Sequence, residues 1–161
     1  MAHRRIFLKQ TAALSAATYL STTPLWAAKA ISANDKLQVA LIGVGLRGTN
    51  HLENILLRSD VAVTAICDID PSRIEIGLKL IEDAQQKKPA VYGADEKDYL
   101  NLLARKDVDA VIIATPWLWH TRMAVDAMEA GKYAGVEVSA ANTLEECWDL
   151  VNTHERTGTH V

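Results

Sequence analysis

Leu37-Gln38-Val39-Ala40-Leu41-Ile42, followed directly by Gly43-Val44-Gly45-Leu46-Arg47-Gly48, decides the fold. The first six residues form a nearly continuous apolar run that ends at glycine, the pattern of a strand buried on both faces of a parallel sheet. The next six match G-x-G-x-x-G. In that turn Gly43 allows a tight reversal, Gly45 lets a pyrophosphate approach the backbone, and Gly48 lets a helix pack closely on the strand. Phosphates then sit at a helix N-terminus, where free N–H groups and the dipole favour negative charge.

Working outward, residues 48–58 carry Leu52, Ile55 and Leu56 at helical spacing, and Val61 to Cys67 is a second β-branched run. Strand, glycine turn, helix and strand make a βαβ unit. The alternation continues with a helix from Pro71 to about Lys87, a short extended piece at Ala90-Val91-Tyr92, and a helix from Glu96 to Arg105. A buried strand from Asp109 to Ala114, a helix from Leu118 to Ala130 closed by Gly131, and a strand from Tyr133 to Val138 follow. Thr143 and Glu146 form a capping box for a last helix running to about Arg156 and ending at Gly158. Repeated strand and helix of this kind predicts a Rossmann-type, doubly wound parallel α/β sheet with right-handed crossovers. The chain stops where a further strand is expected, so the pattern reads as truncated before a C-terminal α/β substrate domain.

Asp68 stands at the end of the second strand, twenty residues after Gly48. A carboxylate there accepts hydrogen bonds from the adenosine ribose and repels a 2′-phosphate, which favours NAD. Arg47 and Arg73 lie near enough in sequence to hold a phosphate, so NADP stays the weaker alternative. Asp70 reads as the N-cap of the next helix. Pro116-Trp117-Leu118-Trp119-His120 follows the fourth strand and Glu137 the fifth, at the carboxyl edge where open α/β sheets bind ligands. Aromatics and a histidine there are candidates for a nicotinamide pocket; surface packing for Trp117 and Trp119, a satisfied helix-start role for His120 and a solvated loop charge for Glu137 are the plain alternatives.

The 161 residues are 49% hydrophobic and 23% charged with net charge −3. That fits one domain with one core. Scattered basic residues form no stripe for a nucleic acid backbone, which is therefore not an expected partner. Cys67 and Cys147 lack metal-ligand spacing; both fall in segments that read as buried and serve as small hydrophobes, and no metal is expected. Ahead of the first strand, His3-Arg4-Arg5-Ile6-Phe7-Leu8-Lys9 precedes an uncharged Ala/Ser/Thr-rich stretch and Ala28-Lys29-Ala30. Residues 1–30 thus resemble a twin-arginine export signal, with 31–36 a linker and 37–161 the globular domain. That predicts a periplasmic protein, exported folded with its nucleotide, and no stable membrane anchor.

From Leu37 onward the chain resembles the N-terminal domain of the Gfo/Idh/MocA oxidoreductases. The carriers are Val39 to Gly45 with Gly48, Cys67-Asp68, Asp109 to Pro116 with His120, and Ala127 to Lys132. Many dehydrogenases of that family have Glu-Lys-Pro after the fifth strand, the lysine serving proton transfer at the substrate hydroxyl. This chain has Glu137-Val138-Ser139, and valine moves no proton. Pro116 to His120, Met123-Ala124, Glu137-Val138 and Glu146 to Val151 are similar to the NAD-dependent glycosidases of glycoside hydrolase family 109. The resemblance implies a retained NAD that transiently oxidises the sugar at C3, so that the C2 proton is acidified, the glycosidic bond leaves by elimination, water adds and the hydride returns. It implies NAD contacts at Leu46, Arg47, Asp68, Trp117, Leu118, Trp119, His120, Glu137 and Val138, beside the turn at Gly43, Gly45 and Gly48. It implies a sugar or glycoside substrate, whose binding and acid-base residues lie beyond Val161. Net oxidation of a sugar stays open beside redox-neutral glycoside cleavage, a non-catalytic nucleotide-binding fragment is the competing expectation, and assembly into a homo-oligomer is open.

Overall fold

A computed structural model of the chain describes residues 36–161; the expected export signal and most of the linker lie outside the described residues. Among the described residues five strands are all parallel: β1 (Leu37–Ile42), β2 (Val61–Cys67), β3 (Ala90–Tyr92), β4 (Ala110–Ile113) and β5 (Tyr133–Val136). Five helices connect or flank them: α1 (Leu46–Leu56), α2 (Pro71–Asp83), α3 (Tyr99–Leu103), α4 (His120–Glu129) and α5 (Leu144–Thr157), with a short 3-10 turn at Trp117–Trp119 before α4. The spatial order is β3-β2-β1-β4-β5. It reverses direction at β1, which opens a crevice at the carboxyl end of that strand.

In place of the single core expected, alternation along the strands builds a core on each face. Ala40, Ile42, Ala65, Val111 and Ile113 pack against Tyr99, Leu102, Met123 and Ala127 from α3 and α4. Leu41, Val63 and Ile66 pack on the other face against Leu52 of α1 and Ile74 and Ile81 of α2. Val63 and Ile66 share a face although three residues apart, because the β1–β2 register slips between Val39 and Ala40, whose partners are Val63 and Ala65. Fully burying an aliphatic side chain such as Leu41 or Ile42 contributes about 1.5–3 kcal/mol, so the run read as a two-faced strand is also the centre of stability.

The helix ends follow local chemistry. Asp70 caps α2, its carboxylate accepting from the Ser72 N–H at 2.9 Å, and Thr143 with Glu146 forms the full capping box of α5. Gly158 ends α5 in the left-handed region at φ 71°. α2 stops at Asp83, short of Lys87, because Gln85 turns left-handed (φ 56°) and Gln86 folds back to accept the Val63 N–H through Oε1. α3 is shorter than the expected helix 96–105 because the Asp98 carboxylate accepts the Gly93 and Ala94 N–H groups at 2.7 and 2.9 Å and holds a turn there. One expectation fails: Cys147 is exposed and only Cys67 is buried, since Cys147 lies on the solvent side of the amphipathic α5.

The amino edge of the sheet is closed by the protein's own groups. Buried Lys132 donates from Nζ to the carbonyl oxygens of Arg105 at 2.6 Å and Val108 at 2.7 Å. Burial pulls its ammonium pKa down. The Gln38 N–H donates to the Asp109 carboxylate at 2.9 Å. Among the described residues no helix is long and apolar enough to cross a membrane.

Candidate functional site

At the carboxyl edge, the three glycines of the turn are glycine for different reasons. Gly43 adopts φ 88°, and a Cβ there would stand 2.8 Å from the Ala114 carbonyl. A Cβ on Gly48 would lie 2.0 Å from the Gly43 carbonyl oxygen, inside its van der Waals envelope. Gly45 has ordinary geometry (φ −68°), and a Cβ on it would meet nothing within 4 Å. Neither conformation nor packing demands glycine at 45. What remains is the open space in front of it, where a ligand backbone would come close. Gly45 is also the N-cap of α1 and supplies no side-chain cap, so the first N–H groups of that helix stay available to an anion.

Asp68 is held by the turn it serves. One carboxylate oxygen accepts the Val44 N–H at 2.7 Å and the other the Asp70 N–H at 3.0 Å. Beside it opens a crevice of about 190 Å³, bounded by Gly43, Gly45, Asp68, Tyr99, Pro116 and Trp119. Whole ligand pockets run to ~300–1,000 Å³, so this crevice suits one end of a dinucleotide, the adenosine end to judge by Asp68. Cys67 lines it too, with burial pushing its thiol up to about 12, which makes it packing and not a nucleophile.

Glu137 is no solvated loop charge. Its Oε1 accepts from Arg47 Nε (3.0 Å) and Nη2 (2.5 Å) and lies 2.6 Å from His51 Nε2, tying the end of β5 to the first turns of α1. Hydrogen bonds from Arg47 and His51 hold its carboxyl down at about 2. His51 is a site residue that the motif reading misses, although its spacing four residues after Arg47 places both on one face of α1. The Arg47 guanidinium, 62% exposed, is thereby drawn to the β5 end, whereas Asp68 stands at the end of β2.

The segment after β4 divides into inner and outer residues. Trp119 is half-buried in the wall of the crevice beside Asp68, not in a separate nicotinamide pocket as expected, and meets Tyr99 edge-on, with ring centroids 6.5 Å apart, an arrangement that aromatic pairs favour. His120 is buried at 1% exposure, its Nε2 2.7 Å from the Thr115 carbonyl and its Nδ1 2.8 Å from the Ser139 carbonyl. A ring protonated at both nitrogens donates to both carbonyls, a neutral ring to one. Either way His120 fastens the loop after β4 to the loop after β5, helped by Thr121, whose hydroxyl donates to the Ala140 carbonyl at 2.8 Å. Leu46, Trp117, Leu118 and Val138 stand exposed. Tyr99 and Met123, which also line the crevice, carry no mark in the sequence because α3 and α4 read simply as apolar helix faces.

A sheet that reverses at β1, a glycine turn with one glycine reserved for a ligand, an uncapped helix start and an oriented acidic residue together define a dinucleotide-binding domain. The residues present fit that ligand. The model of the oxidoreductase family GFO_IDH_MocA, NAD-binding Rossmann fold, matches residues 37–161, and the chain belongs to that family. Among curated relatives, a glycosyl hydrolase family 109 protein of Shewanella pealeana is 42% identical over 96% of this chain and 37% of its own length. An alpha-N-acetylgalactosaminidase of Tannerella forsythia is 48% identical over 78% of this chain and 27% of its own length. The chain thus spans about a third of the length of the curated relatives it matches. Among solved structures, the WlbA dehydrogenase of Chromobacterium violaceum, in complex with NADH and UDP-GlcNAcA, superposes with TM-score 0.67 at 23% identity, covering 81% of this chain and 36% of that one. That likeness speaks to the fold.

Proposed function

We propose that the chain is the NAD-binding domain of an exported enzyme that hydrolyses glycosides without net redox change. The observation that carries the reading is Glu137-Val138-Ser139 at the end of β5, with Val138 exposed where many dehydrogenases of this family place lysine. The similarity to relatives named glycosyl hydrolase family 109 and alpha-N-acetylgalactosaminidase supports it. Bound NAD would supply a reversible two-electron acceptor for a sugar hydride, so that the net change would be cleavage of the glycosidic bond by water. The chain's own residues bind and orient. Gly43, Gly45, Leu46 and Gly48 present the start of α1 to the pyrophosphate, Asp68 takes the adenosine ribose, and Glu137 with Val138 closes the nicotinamide side. His120 holds the two loops between which that side lies.

NAD is favoured over NADP by the placement of charge. Asp68, Asp95 and Glu96 face the adenosine crevice, and Arg47 is engaged by Glu137. A 2′-phosphate would meet carboxylates first. Titration with both cofactors tests this: an NADP affinity equal to that for NAD would refute it.

For the reaction, the protein is offered an aryl N-acetylgalactosaminide. Release of the phenol with no net NADH is the expected result; stoichiometric NADH from a free sugar would replace hydrolysis with dehydrogenation. Export through the twin-arginine route is the companion proposal. The Shewanella pealeana similarity covers 96% of the chain, more than residues 37–161 contain, so it extends into the N-terminal segment. Residues 1–30 fused to a folded reporter are expected to carry it to the periplasm, and Arg4→Lys with Arg5→Lys to retain it. Export undiminished by the double change would remove this part of the proposal.

A further inference from the structure

Trp119 and Tyr99 form the aromatic wall of the adenosine-side crevice, yet neither is positioned by its own element. Trp119 ends a three-residue 3-10 turn, a structure too short to fix a side chain unaided. Tyr99 opens the five-residue α3, whose N-cap has no side-chain hydrogen bond. What fixes them comes from α4. The Tyr99 hydroxyl donates to Asp126 Oδ2 at 2.6 Å, and the same oxygen accepts from Arg122 Nε at 2.8 Å. Burial and the neighbouring Asp126 push the Tyr99 phenol up to about 12, so it remains a donor at any physiological pH. The chain of contacts runs from Arg122 on the surface, through Asp126 and the buried Tyr99 ring, to the Trp119 ring.

We propose that Tyr99 and Asp126 are positioning residues for cofactor binding: Asp126 anchors Tyr99, Tyr99 sets the Trp119 ring, and the wall so fixed receives the adenine. The proposal rests on Asp68 marking the adenosine end of the crevice. A flat purine in an apolar slot gains from aromatic rings held at one angle, and loses where each ring must be ordered on binding. No role follows for Tyr99 or Asp126 at the nicotinamide end, which lies over β4 and β5.

The test separates the two ends by using AMP and nicotinamide mononucleotide as probes, titrated calorimetrically into protein freed of bound nucleotide. Tyr99→Phe keeps the ring and removes the anchor; Asp126→Ala removes the acceptor. Each is expected to weaken AMP about five- to tenfold while leaving the mononucleotide unchanged. Asp126→Asn keeps an oxygen acceptor for the Tyr99 hydroxyl and is expected to bind AMP within about twofold of the parent. Thermal unfolding of each variant checks that the fold persists, and the Asn/Ala pair keeps the test decisive if Tyr99→Phe is poorly folded. AMP binding unaffected in both Tyr99→Phe and Asp126→Ala overturns the proposal. So does equal loss for both probes, which a general loosening of the domain would produce. Asp68→Ala distinguishes the premise: if it too leaves AMP affinity intact, the adenosine assignment of the crevice is what fails.

Discussion

The two edges of the sheet solve opposite problems. At the amino edge polar groups are satisfied internally, with buried Lys132 spread over two carbonyls and Gln38 paired to Asp109. At the carboxyl edge Leu46, Trp117, Leu118 and Val138 are left exposed, Gly45 faces open space and the start of α1 is uncapped. One edge is finished by the chain itself; the other is shaped for something the chain does not contain. Residues at the first answer to stability, and residues at the second answer to a ligand, even within one turn.

The sharpest challenge to that contrast is Gly48→Ala. Gly48 sits at the carboxyl edge, but the Gly43 carbonyl oxygen would stand only 2.0 Å from an added methyl. The change should cost ~3 kcal/mol or more of stability and abolish cofactor binding with it. A urea titration showing near-parental stability would mean that the turn can shift. Lys132→Ala comes next, leaving the part-buried Arg105 carbonyl and the buried Val108 carbonyl without this donor at the amino edge. It should destabilise by about 2–3 kcal/mol and leave the affinity of the remaining folded protein for NAD unchanged.

Gly45→Ser probes the other side of the contrast. Serine is at least as good an N-cap as glycine, so stability should hold within ~0.5 kcal/mol or rise. Cofactor affinity should fall more than about tenfold, because the side chain fills the space reserved for the pyrophosphate. Binding at parental strength would show that Gly45 is not part of the cradle. The smallest effect belongs to Glu137→Gln. Glu137 has its pKa lowered from the ordinary 4.5 to about 2. Its ion pairs therefore contribute stability above about pH 4.5 and lose it as pH falls toward about 2. The stability gap between parent and variant should close across that interval. A gap that stays constant through it would show that Arg47 and His51 do not hold the carboxylate in solution.

Much of this is readable in the sequence alone, and the reason is locality. The strands, the glycine turn, Asp68, the Asp70 cap and the Thr143–Glu146 box depend on residues within a few positions of one another, or on a βαβ unit with fixed spacing. Three features escape because they are made between distant segments or faces. Glu137 meets Arg47 and His51 across some ninety residues, and nothing adjacent to it distinguishes a clamp from a solvated charge. Tyr99 becomes a crevice residue only because α3 is folded under the loop after β4. Cys147 is misread since an amphipathic helix has two faces and a single cysteine fits the pattern of either.

With Asp68 as the ribose ligand proposed above, its carboxylate bears on how quickly a cofactor leaves. With one oxygen on the Val44 amide and the other on the Asp70 amide, its orientation is set before any encounter. A receptor ordered in advance gives up little freedom when it closes on its ligand, and in related complexes such a gain is seen mainly as a longer residence time. For a dehydrogenase that must exchange its cofactor at every cycle, slow departure limits the rate. For a redox-neutral cycle it costs nothing.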